Sequence, residues 1–164
     1  MKLLTFVDDI SQTYRTGVLT SKGVLDISDD FSSIEDVMSN LAKLEALIDF
    51  YVEGEGVEFL NYEDLTLGPV IPNPKKIICV GLNYKRHAEE MKVDIPDRPI
   101  LFSKFNNALT ADQSTIKIPK GTEMIDYEGE LALIIGKRAK NVSREEAMDY
   151  VFGYSNANDV SERE

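Results

Sequence analysis

The sequence has one cysteine, one histidine and six prolines in 164 residues. It has no long apolar run. A lone thiol, Cys79, excludes an intramolecular disulfide and fits a reducing, cytoplasmic setting. It lies in Ile77–Val80, an apolar run short enough for a fully buried strand, so a structural thiol is the expected role. Nothing approaches the roughly 18 apolar residues of a membrane span, and no membrane partner is expected. The opening MKLLTFVDDISQ carries one Lys with acids close behind, and reads as a first strand, not a signal peptide. Cations are scarce early in the chain. Residues 1–70 hold 4 Lys and Arg against 14 Asp and Glu, a net of −10, whereas residues 71–164 hold 14 against 15, a net of −1. An acidic segment of that kind repels phosphate backbones, which argues against nucleic acid as a partner. The near-neutral second segment can receive a small anionic substrate. The hydrophobic fraction of 43% is that of an ordinary soluble globular protein.

The most informative stretch that is present is Asp126–Lys137, DYEGELALIIGK. Glu128 and Glu130 stand two apart, directly before the apolar run Leu131–Ile135. In a strand, residues i and i+2 project from one face, about 7 Å apart. Both carboxylates then point to the side of Ala132 and Ile134, where they repel each other unless a cation lies between them. Two hard oxygen donors without a neighbouring Cys or His suit Mg²⁺, Mn²⁺ or Ca²⁺ better than zinc. The alternative is that both acids line the solvent face of an edge strand.

Taken in order, Met1–Val7 reads as a strand, and Gly17–Thr20 and Val24–Ser28 flank a turn as a hairpin. Ser32 and Glu35 have capping-box spacing before a helical pattern from Ile34 to Ile48 that ends at Gly54 and Gly56. Tyr62–Val70 reads as extended. Pro69, Pro72 and Pro74 mark a boundary, giving a small domain over residues 1–70 and a second unit over 71–164. After the Ile77–Val80 strand, Gly81 permits a turn and Asn83 is a candidate cap for a short helix. Ile100–Lys104 is a further strand. Ser143 and Glu146 repeat the capping-box form, predicting a helix that ends at Gly153.

His87 stands three residues before Glu90, so on a helix the two share a face. A carboxylate beside an imidazole fixes its tautomer and raises its basicity, as a general base requires. A solvated surface helix is the competing explanation. Asp159, between Asn158 and Val160, is a third acid in a mostly uncharged setting, or else part of a turn-forming Asn-Asp pair.

Four segments occur in order: ICVGLNYKRHAEE, ILFSK, DYEGELALIIGK and GYSNANDVSERE. Together they resemble the fumarylacetoacetate hydrolase family over about residues 70–164, and more weakly over the acidic first segment. The resemblance implies an α+β, mainly β fold, with a small α+β N-terminal domain followed by the first part of a mixed β-sandwich roll. It implies Mg²⁺ or Mn²⁺ held by Glu128, Glu130 and Asp159, and a catalytic dyad of His87 and Glu90 in a mobile lid. The implied activity is hydrolysis of a C–C bond in a small 2-oxo or 1,3-diketo acid through an enolate stabilised by the cation. The same site also serves decarboxylases and isomerases. Family catalytic domains continue past the Asp-Val-Ser segment, so a truncated and inactive form is a further expectation. A homodimer is expected where the catalytic domain is complete.

Overall fold

The structure, a computed structural model, describes residues 1–54 and 56–163. Its architecture is mixed α+β and mainly strand, as expected. The first unit is a three-stranded antiparallel sheet of β1 (Lys2–Val7), β2 (Tyr14–Thr20) and β3 (Gly23–Asp26). Both faces of the sheet are covered, with Leu4 and Phe6 buried on one side and Val18, opposite Leu3, on the other, and the turn between β2 and β3 falls at Ser21-Lys22. Gly23 is required there. Its φ is +129°, and an added Cβ would lie 2.7 Å from the Leu60 carbonyl oxygen, because the segment at Leu60 pairs with Val24. On the other edge, Val7 N–H donates to Thr66 O and Gly68 N–H to Thr5 O, each at 2.8 Å. The segment read as simply extended therefore covers a sheet edge, after a 3₁₀ turn at Tyr62–Asp64.

The single helix expected from Ile34 onward is two helices: α1 (Ile34–Ser39) and α2 (Leu41–Glu53), broken at Asn40. The cap is Ser33 and not Ser32: the Ser33 hydroxyl accepts from the Asp36 amide at 3.1 Å. Asp36 answers by accepting from the Ser32 amide, so the reciprocal motif is shifted by one residue. Gly54 caps α2 as expected. Val37 and Leu44 from the helices close over Val18, Leu25, Ile27 and Phe31. A second cluster joins Leu4, Phe6 and Val24 to Leu60, Leu65 and Leu67. Among the described residues, Phe152 is the one hydrophobic residue from beyond position 70 packed against either cluster.

The later half is built from two-stranded antiparallel pairs. β4 (Ile77–Gly81) pairs antiparallel with β5 (Ile100–Lys104), and β7 (Gly129–Ile135) with β8 (Val151–Asn158). The two-residue strands β6 (Ile125–Asp126) and β9 (Ser161–Glu162) form a third pair. α3 (Lys85–Glu90) lies between β4 and β5, with Ala88 fully buried. Its cap is Tyr84, and Asn83 makes no capping bond.

β4 is not fully buried: Ile78 and Val80 are exposed, because β4 belongs to a two-stranded sheet with one open face. Ser143 does not start an α-helix. It makes the capping contacts, accepting from the Glu146 amide at 3.3 Å and donating to its carboxylate at 2.8 Å. Only a 3₁₀ turn at Ala147–Tyr150 follows, because the β-forming residues from Val151 on pair with β7. Gly153 lies within β8, opposite Ile134. Among the described residues no helix is long and apolar enough to cross a membrane.

Candidate metal centre

The register of β7 against β8 decides where the acids lie. Glu130 stands opposite Ala157 and Gly129 opposite Asn158, so Glu128 and Asp159 leave the ladder side by side. Two bonds tie that end of the hairpin: the Asp159 amide donates to Glu128 O at 2.9 Å, and the Glu128 amide donates to Asn158 Oδ1 at 3.0 Å. Alternation along β7 places Glu128, Glu130, Ala132 and Ile134 on the more sheltered side, with Leu131, Leu133 and Ile135 on the open side. Acids on the sheltered side and three large aliphatics on the open side depart from the usual alternation of a half-covered strand. The Asp159 side chain is only 12% exposed.

Each of two acids already has a cationic partner. Lys104, the last residue of β5, holds its ammonium against Asp159 Oδ1. That oxygen is buried, so the charge pair is largely shielded from water. Arg163 donates to Glu128 Oε1 at 2.5 Å through Nη2 and to Asp126 Oδ2 at 3.1 Å through Nε. Its guanidinium pKa is raised, first by the hydrogen bond to Glu128 and then by that to Asp126. The pairing of β6 with β9, plus the Arg163 amide bond to Met124 O at 3.0 Å, fixes the base of this side chain. With their charge shared out in this way, the carboxylates do not close up. Among the described residues no three Asp, Glu, His or Cys side chains form a ready cluster for a metal ion.

Cys79 reports on the same neighbourhood. Burial pushes its thiol pKa up, and the charges of Asp159, Glu130 and Glu128 push it further, while Lys104 opposes them. His87 is half-buried on α3 and Glu90 is exposed. Their spacing puts them on one helical face, but among the described residues no hydrogen bond joins them.

The donor set fits a hard divalent cation. Three carboxylates belong to one side of the β7–β8 pair, Glu128 and Asp159 at its end and Glu130 opposite Ala157, and oxygen donors of this kind suit such an ion. Glu128, Glu130 and Asp159 are the side chains that would hold it. Lys104 and Arg163 were not signalled by spacing or periodicity. The available sign was that each stands in one of the four ordered segments, ILFSK and GYSNANDVSERE.

Residues 76–164 match the family described as Fumarylacetoacetate (FAA) hydrolase C-terminal, and the chain belongs to the fumarylacetoacetate hydrolase family. It is 37% identical over its whole length to a fumarylacetoacetate hydrolase domain-containing protein 2 homolog of Dictyostelium discoideum, covering 55% of that protein. Over 105 residues it is 44% identical to a mitochondrial oxaloacetate tautomerase of Xenopus laevis, covering 64% of this chain and 33% of that one. Among solved structures, maleylpyruvate hydrolase from Sphingobium sp. SYK-6, in complex with manganese (II) ion and pyruvate, superposes with a TM-score of 0.80 at 25% identity. That match covers 99% of this chain and 60% of the hydrolase. The chain therefore spans from a third to just over half of these curated relatives.

Proposed function

We propose that this chain carries the divalent-metal centre of an enzyme that moves a proton on the carbon beside the 2-oxo group of a small dicarboxylic 2-oxo acid. The observation that carries the reading is the sheltered face of β7, which holds Glu130 and, just before the strand, Glu128 next to Asp159. In this reading Glu128, Glu130 and Asp159 hold Mg²⁺ or Mn²⁺. When bound, such an ion supplies Lewis acidity toward the adjacent oxygens of a 2-oxo acid. His87 is the proton acceptor, and Glu90 holds the imidazole in the tautomer that accepts. Ala88, fully buried between them in sequence, anchors the helix that presents the pair. Closure of that helix over the substrate would exclude water. The identity to oxaloacetate tautomerases supports proton transfer. A homodimer in the cytoplasm belongs to the same proposal.

A second reading, hydrolysis of a C–C bond in an acylpyruvate or fumarylpyruvate type of diketo acid, is favoured by the similarity to the maleylpyruvate hydrolase structure. There His87 would take its proton from water. Decarboxylation of a 2-oxo dicarboxylate is the remaining variant of the same chemistry.

Proton NMR in D₂O with Mg²⁺ separates the three. The first reading expects loss of the C3 proton signal of oxaloacetate faster than with Mg²⁺ alone, without loss of carbon. Pyruvate formed from oxaloacetate would indicate decarboxylation, and pyruvate formed from an acylpyruvate would indicate hydrolysis. In a catalytically competent form, His87→Ala should lower kcat about 10²–10⁴-fold. Unchanged turnover in that variant removes His87 from the mechanism.

A further inference from the structure

The two cations at the acids have a consequence for metal binding. Asp159 Oδ1 is buried, so a positive charge in contact with it is poorly screened by solvent, and Lys104 supplies that charge. Asp159 is the one ion-pair partner of Lys104 among the described residues. Arg163 is different. It bridges Glu128 and Asp126, so it can release Glu128 and stay bound to Asp126 through Nε and Nη2. A divalent ion approaching these acids meets two resident positive charges that must move or be repelled.

We propose that Lys104 and Arg163 act as built-in competitors for the metal centre, and that a divalent cation binds by displacing Lys104 from Asp159 and Arg163 from Glu128. The inference rests on the metal-centre reading above. It also ranks the two residues. Arg163 keeps a carboxylate partner after release and Lys104 keeps none, so Lys104 opposes the metal more strongly. The pair sets a threshold of metal concentration below which the acids stay neutralised by the protein's own side chains.

Isothermal titration of the whole chain with Mn²⁺ tests this without reference to activity. Lys104→Met should bind Mn²⁺ at least about tenfold more tightly than the wild type, the scale of removing one unit charge a few ångströms from a divalent ion even at the dielectric of water. Arg163→Met should show the same direction with a smaller gain. Lys104→Arg keeps the charge and should bind like the wild type, and circular dichroism of each variant controls for folding. An independent readout is the reactivity of the Lys104 amine toward an acylating reagent, followed by mass spectrometry, which should rise when Mn²⁺ is added. Wild-type binding with equal or weaker binding in both Met variants, or with no change in Lys104 labelling, overturns the competition alone. No Mn²⁺ binding in the wild type or any variant overturns the metal centre itself.

Discussion

Leu44→Ala probes how far the first unit stands apart from the acids. Leu44 lies on α2, is fully inaccessible to solvent, and belongs to the cluster with Val18, Leu25, Ile27, Phe31 and Val37. The substitution removes three buried carbons, worth roughly 2.5 kcal/mol at about 0.8 kcal/mol each. The surrounding sheet and helices relax only partly, so a residual cavity adds up to about 2 kcal/mol. The expected loss is therefore about 3–4 kcal/mol in urea unfolding followed by far-UV circular dichroism. Because no metal-site acid lies in either core cluster, Mn²⁺ affinity measured in native buffer should stay within about twofold, well inside one tenfold step of 1.4 kcal/mol. A loss below about 1 kcal/mol would show that the site is not a packed core. A collapse of Mn²⁺ affinity in a variant that remains folded would show that residues 1–70 and the acids form one energetic unit.

The capping assignment is open to a paired test: Ser33→Ala should cost about 1 kcal/mol of stability, and Ser32→Ala, whose hydroxyl makes no cap, clearly less. The reverse order would restore the original placement of the helix start. Gly23→Ala should cost more than about 1 kcal/mol, since it forces a Cβ into a left-handed conformation against the Leu60 carbonyl, and an unchanged unfolding midpoint would refute the close approach. For Cys79, burial and then the Asp159 charge hold the thiol protonated to higher pH, so its alkylation by iodoacetamide should begin at higher pH than for a free cysteine. Asp159→Asn removes one of the raising charges and should shift that profile to lower pH, whereas no shift would separate Cys79 from the acids. The sign for stability follows. A thiol whose folded pKa is raised favours the folded state below the unfolded value, and that contribution is lost as pH rises from there through the raised folded value.

Strands were legible in the sequence where alternation or a short apolar run was bounded by turn residues. Ile100–Lys104 and the hairpin around Ser21–Gly23 coincide with β5 and the β2–β3 turn. The reading failed where two local signals conflicted. Ser143 and Glu146 form their contacts, yet the residues after Tyr150 gain more by pairing with β7 than by extending a helix. The break at Asn40 was hidden because the apolar spacing of Val37, Leu41 and Leu44 continues across it. Burial was the least legible property. Ile77–Val80 looks like a buried strand by composition, but burial depends on what covers the sheet, which no local pattern records. At the site, spacing brought out Glu128 and Glu130, and only the resemblance linked them to Asp159. Lys104 and Arg163 reach the acids through β5 and β9, by pairings distant in sequence.

The most direct test of the metal centre is a Mn²⁺ titration of the wild-type chain beside Glu130→Gln and Asp159→Asn, read by calorimetry and by the electron paramagnetic resonance signal of free Mn²⁺. Glu130 has no ion-pair partner among the described residues, so its loss removes a donor without freeing a competing cation. One Mn²⁺ per chain in the wild type, with affinity reduced at least tenfold in each variant, is the expected result. Equal binding in all three proteins, or no binding in the wild type, would contradict a centre built from Glu128, Glu130 and Asp159.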